Sequence, residues 1–207
     1  MDDISSSPDY TGALLVMVLN AIFGIVAVSV LLQKMQFIGP NAGAVRAVEA
    51  SILSQLLLVT PIVLIGRWLL KSFVVYWICG GAHPWDFKTA AAITGYSYVP
   101  TIVLALLSTT VSWFVMPTII IDTTDMQLAV VRLEYELSQI SPYLTILSVV
   151  FSLVGVTWKS YLGGIGVYEG TGGRGSELVG FAVFFVLGFI GFFIDFMLNS
   201  PIPSPIG

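Results

Sequence analysis

Apolar residues run along this chain in five long blocks separated by short polar interruptions. From Gly12 to Leu32 only Asn20 and Ser29 break the apolar stretch, which at about 1.5 Å per residue covers the ~30 Å of hydrocarbon in a bilayer. The segment from Lys34 to Ala50 returns to the interface, with a Gly39-Pro40-Asn41 turn signal and the charges of Lys34, Arg46 and Glu49. A second block, Ser51 to Gly80, carries Arg67 and Lys71. Beyond Gly80-Gly81-Ala82-His83-Pro84, small residues from Thr89 to Thr94 lead into a third block from Tyr96 to Ile121, with Pro100 near its start and Pro117 near its end. Between Asp122 and Ile140 charged residues alternate with Leu128, Val131, Leu133 and Leu137, the pattern of a short amphipathic surface helix. Pro142 opens a fourth block reaching about Tyr161, and a glycine-rich link leads to a fifth from Leu178 to Leu198. The pattern predicts an all-α, polytopic integral membrane protein, one transmembrane domain over residues 1–207. Its five helices are expected at about 12–32, 52–79, 96–121, 143–163 and 178–198, joined by short loops. No strand alternation is visible, which excludes a β-barrel.

Composition sharpens this picture. Of 207 residues, 57% are hydrophobic and 10% charged, against roughly 25% charged in an average soluble domain. Eight Lys plus Arg within a net charge of -4 give no basic footprint for nucleic acid. The single Cys79 and single His83 exclude an internal disulfide and the Cys/His clusters of zinc or iron–sulfur sites, so no metal and no cofactor is expected. The first nine residues hold three aspartates and no Lys or Arg, the wrong sign for a signal peptide, so the first block reads as a retained span. The proline-rich tail carries no lipidation signature.

The exceptions to apolarity are the informative residues. Arg67 and Lys71 share one helical face, and each would cost ~2.5–3.5 kcal/mol at the centre of a span. If the second helix enters at Ile52, Arg67 lies about 22 Å deep and Lys71 about 28 Å, while Lys159 lies about 24 Å into the fourth span. Three cations at one depth can snorkel to anionic headgroups, or line a lipid-headgroup or anionic-ligand pocket between the second and fourth helices. On the same ruler Asp195 lies roughly 17 Å away from Arg67. That distance argues against an ion pair and makes Asp195 an interfacial residue. With the N-terminus inside, Lys88 and Arg174, joined by Lys159 near the inner end of the fourth span, balance Lys34, Arg46 and Arg132 outside, and Arg67 and Lys71 tip the count inward. An odd number of spans then sets the C-terminus outside.

Apparent catalytic motifs lack their context. Gly170-Thr171-Gly172-Gly173-Arg174-Gly175 fits a dinucleotide fingerprint, but its neighbours are membrane spans rather than a strand and an amphipathic helix, and Ser176 stands where a phosphate loop needs lysine. Ser97 in Gly-Tyr-Ser-Tyr-Val lacks the second glycine of a nucleophile elbow. Gly166 and Gly170, and Ala91 and Gly95, are small-residue pairs that could let helices approach closely. No acid, base and nucleophile set is present, so no catalytic residue is assigned.

The stretch Gly80-Gly81-Ala82-His83-Pro84-Trp85-Asp86-Phe87-Lys88, leading into Thr94-Gly95-Tyr96-Ser97-Tyr98-Val99-Pro100, resembles the Yip domain family of five-span membrane proteins. Trp158 and the Gly163-Gly164-Ile165-Gly166 turn after the fourth span extend the resemblance over nearly the whole chain. It implies an inside N-terminus and an outside C-terminus. The Asp-Leu-x-Gly-Pro motif of eukaryotic members is absent from the nine residues before the first span, so the resemblance does not extend to a Rab-type partner. The compact, acidic chain is similar to the archaeal or bacterial branch, which suggests a prokaryotic plasma membrane.

The expectation is a non-enzymatic protein that organises membrane lipids or partner proteins. Its contacts would be anionic lipids of the inner leaflet, and membrane-protein partners or a second copy of the chain. The candidate contact residues are Arg67, Lys71, Lys159, Gly95, Tyr96 and Pro100. The alternative is a small transporter or channel component, which would need a polar track through the mid-membrane.

Overall fold

A computed structural model describes residues 9–80 and 85–199. His83 and its neighbours, the first eight residues and the proline-rich tail lie outside the described residues. Six helices and two short strands follow in the order α1 (Tyr10–Leu32), β1 (Met35–Ile38), α2 (Ala42–Cys79), α3 (Phe87–Tyr96), α4 (Val99–Val115), β2 (Ile119–Asp122), α5 (Met126–Gly170) and α6 (Glu177–Asn199). With α3 and α4 taken as one broken span, five helical segments are long and apolar enough to cross a membrane.

Aspartates set three of the helix starts. The Asp9 carboxylate accepts from the Gly12 N–H at 2.7 Å, Asp86 accepts from the Thr89 N–H at 2.8 Å, and Asp125 accepts from the Gln127 N–H at 2.9 Å. Each satisfies an N–H that has no partner inside its own helix and complements the positive end of the helix dipole. The local work of these acids is to begin the helices.

Three expected boundaries move. The second helix starts at Ala42 rather than near residue 52, running 38 residues through Pro61, and α5 fuses the amphipathic segment with the fourth span into 45 residues across Pro142. Pro61 and Pro142 each remove one backbone bond, a loss that long helices with packed neighbours tolerate. At about 57 and 68 Å, both helices overrun the hydrocarbon. Their overhanging N-terminal turns pack against one small apolar core with the segments that follow α1 and α4. The third span starts earlier, at Phe87, and its helix stops at Val115 before Pro117.

Residues 119–122, expected to end the third helix, are instead a strand. β2 pairs in parallel with β1, Met35 against Ile119 through Ile38 against Asp122, which corrects the expectation of no strand. Thr123 closes the pair by donating its hydroxyl to the Ile38 carbonyl at 2.8 Å, and Asn41 Nδ2 donates to the Thr123 carbonyl at 2.8 Å. Gly39 makes the turn between them possible with φ at 99°, a left-handed conformation that side chains disfavour. Phe37, Ile119 and Ile121 point inward onto Met116, Ala129 and Ile140, giving a small apolar core against the start of α5.

The remaining packing gathers around α3, buried from Thr89 to Gly95. Trp68 of α2 is wholly buried and donates its indole N–H to the Ala91 carbonyl at 2.9 Å, fixing α2 onto α3. Gly166 and Gly170 let α5 close on Ile93, where a Cβ at either position would collide with its side chain. Gly163 accommodates the ring of Phe184, and a Cβ at Gly164 would strike the Glu177 carbonyl, so α6 lies tight along α5. The small-residue pairs are thus helix contacts.

Candidate anion site at the broken third span

The break between α3 and α4 consists of Ser97 and Tyr98. Ser97 N–H closes the last α-helical turn on the Ile93 carbonyl at 3.0 Å, and then Tyr98 N–H donates to Gly95 at 3.0 Å and Thr101 N–H to Tyr98 at 2.9 Å, so the backbone tightens into three-residue turns. Pro100, buried in the first turn of α4, has no N–H to offer the Tyr96 carbonyl. Local sequence alone therefore breaks the span at this level.

Tyr98 is the centre of what surrounds the break. The Lys71 Nζ lies 5.4 Å from the Tyr98 ring centroid and 4.6 Å from that of Phe184, and the Lys159 Nζ lies 5.1 Å from the same Tyr98 ring. Ammonium groups over ring faces recover part of the electrostatic stabilisation lost on leaving water. Lys71 and Lys159 are near enough to act on each other as like charges, and Lys159 also feels Arg67 and Asp195. The three cations placed at one depth by counting residues are thus brought together, from α2 and α5, at the break in the third span.

Arg67 differs from the expectation in its partner. Its guanidinium donates to both Asp195 oxygens, Nη1 to Oδ1 at 3.2 Å and Nη2 to Oδ2 at 3.1 Å, the two-point geometry that makes arginine–carboxylate pairs strong. The separation of roughly 17 Å assumed entry of α2 at Ile52. Measured from the opposite ends, Cys79 and Glu177, Arg67 lies about 18 Å and Asp195 about 27 Å along antiparallel helices, a gap that side-chain length and tilt can bridge. Gly191 also lets α6 come close, since a Cβ there would lie 3.4 Å from Arg67 Nη2. Among the described residues this is the ion pair that forms, and neither lysine has a carboxylate within pairing distance.

Gly95 and Tyr96 belong to a different contact. A Cβ on Gly95 would lie 2.6 Å from the Ala13 Cβ and 3.1 Å from its carbonyl oxygen, so this glycine admits α1. Tyr96 donates its hydroxyl to Asp9 at 2.5 Å, over Gly12, where any Cβ would collide with both groups. The Tyr96 hydroxyl and the Gly12 N–H hold the Asp9 carboxyl below its ordinary range. The expected set of six therefore divides: Arg67, Lys71 and Lys159 gather about Tyr98, Gly95 and Tyr96 seat α1, and Pro100 shapes the break. Tyr98 and Asp195 are the site members that residue counting missed. Tyr98 stood in the sequence only as part of the stretch from Thr94 to Pro100, because nothing in one sequence says which of two neighbouring rings faces the cations.

The glycine-rich loop folds on itself. Gly172 and Gly173 take φ of 65° and 74°, and the Thr171 hydroxyl donates to Val167 at 2.8 Å while accepting the Gly175 N–H at 2.7 Å. It follows a helix rather than a strand, unlike a dinucleotide fingerprint. Among the described residues no group of three His, Cys, Asp or Glu could hold a metal ion.

The Yip1 domain family model matches residues 1–196. The chain belongs to the Yip1 domain family. The match takes in all five spans of this Yip1 domain, from the Asp9 cap to the Asp195 carboxylate. No curated protein and no solved structure shows significant similarity to it.

Proposed function

We propose that this Yip1 domain protein is a non-enzymatic organiser of the membrane, gathering anionic lipid, and through it partner proteins or a second copy of the chain, at the cluster of Arg67, Lys71 and Lys159. One observation carries the reading: two ammonium groups share the Tyr98 ring with no carboxylate within ion-pairing distance among the described residues, while Arg67 is committed to Asp195. Such a cluster inside a span is costly unless an anion approaches it. In this reading the cluster lies beneath the inner leaflet of a prokaryotic plasma membrane, the N-terminus is cytoplasmic and the C-terminus outside. The alternative of a transporter or channel has less support. Ser72, Thr94, Thr109 and Ser160 each bond back to a carbonyl four residues earlier in their own helix, leaving them unavailable as a polar track. The test is lipid retention after extraction in mild detergent. The wild-type chain should hold anionic lipid above phosphatidylcholine, and Lys71→Leu with Lys159→Leu should lose that excess. Equal retention by the two chains, or solute flux in reconstituted vesicles, would replace this reading.

A further inference from the structure

We infer that Lys71 and Lys159 together hold a phosphate monoester in its dianionic form, the chemistry shared by a phosphatidate-type headgroup and free inorganic phosphate. The inference rests on the function proposed above and narrows its ligand.

The argument is one of charge and donors. Arg67 and Asp195 neutralise each other at 3.1 Å, so the residual charge belongs to the two lysines on Tyr98. A phosphodiester carries one negative charge and would leave one ammonium uncompensated in a medium of low dielectric. A monoester loses its second proton near pH 6, and adjacent cations favour that loss. Its two charges match the two ammonium groups, whose three donors each suit a phosphate approached as a point charge.

A further donor stands one turn along the chain from Tyr98, where the Thr101 N–H bonds the Tyr98 carbonyl at 2.9 Å. Many hydroxyls along the helices bond back to their own backbone, as Thr109 and Thr110 do in α4. Among the buried side-chain oxygens and nitrogens of the described residues, the Thr101 hydroxyl is the one with no hydrogen-bond partner. It lies three positions after Tyr98, in the first turn of α4, which Tyr98 precedes as the cap residue. A buried hydroxyl without a partner costs stability unless a ligand supplies one. The direction of entry also follows. The Arg67 and Asp195 side chains are 47% and 52% exposed, so the cluster opens laterally toward lipid between α2 and α6.

The full chain is reconstituted in phosphatidylcholine vesicles containing equal amounts of phosphatidate and phosphatidylglycerol, extracted in mild detergent and weighed by native mass spectrometry. Phosphatidate should be retained over phosphatidylglycerol by at least about tenfold. K71L/K159L should abolish the preference, and K71R/K159R, which keeps both charges, should restore most of it. Thr101→Val should weaken phosphatidate retention while leaving phosphatidylglycerol unchanged. A second arm adds inorganic phosphate: displacement of phosphatidate supports free phosphate as an occupant, and resistance to it supports the lipid. Equal retention of both anionic lipids would overturn the dianion while leaving an anionic-lipid organiser standing. Retention of neither above phosphatidylcholine would overturn both.

Discussion

Gly95→Ala tests the division of the candidate residues most directly, because a single methyl group should move stability and leave lipid binding alone. The added Cβ would lie 2.6 Å from the Ala13 Cβ, 3.0 Å from its Cα and 3.1 Å from its carbonyl oxygen. Two of these three neighbours are backbone, so no side-chain rotation relieves the contact, and α1 must shift away from α3. Overpacking of this kind costs about 1–3 kcal/mol. The control is Gly66→Ala in α2, where a Cβ meets nothing within 4 Å. There the better helix propensity of alanine should stabilise by about 0.5–1 kcal/mol. Unfolding in mixed micelles, titrated with a denaturing detergent, should move in opposite directions for the two variants. Phosphatidate retention by folded Gly95→Ala should equal that of the wild type, since Gly95 faces α1 and the cations face Tyr98. A Gly95→Ala chain as stable as the wild type would refute the close approach, and one that is stable but loses lipid would return Gly95 to the binding surface.

Other outcomes follow from contacts described above. Asp195→Asn should free the Arg67 guanidinium, cost about 1 kcal/mol because both partners are half exposed, and raise retention of phosphatidate; a double-mutant cycle with Arg67→Leu on folding stability should return a coupling of about 0.5–1 kcal/mol. Trp68→Ala should destabilise by about 3–5 kcal/mol in the same micelle titration, because a wholly buried ring and its bond to Ala91 are both lost. The Asp9 carboxyl is held below its ordinary range by Tyr96. Its contribution is therefore complete above the unfolded value near 3.8 and is lost as pH falls through the lower folded one. Tyr96→Phe should flatten the acid limb of the stability curve, measured by unfolding from about pH 5 downward, and an unchanged limb would remove Asp9 from that role.

The five spans were legible because apolar runs of that length have one physical outlet, and the common depth of the cations followed from a rise of 1.5 Å per residue. Counting failed where an origin had to be assumed. Starting α2 at Ile52, when its helix begins at Ala42, misjudged the reach between Arg67 and Asp195. The sheet escaped for a different reason: four residues give too short an alternation to see, and the partner strand is a whole pair of spans away. Around the site, Pro100 was visible only as a proline near the start of the third block, and the choice of Tyr98 over Tyr96 as the ring facing the lysines depends on how α1 and α2 pack on α3, which only the assembled fold specifies.

The pairing of β1 with β2 also orders the protein's biogenesis. Thr123 reaches the Ile38 carbonyl across 85 positions of sequence, so at about 5–20 residues per second the ribosome needs roughly 4–17 s to supply the second strand after the first. During that interval α1 and α2 occupy the membrane as an unlatched hairpin, and α3 and α4 must insert beside them before the latch can close. Formation of this four-residue ladder therefore dates the moment when the first hairpin and the broken third span become one body.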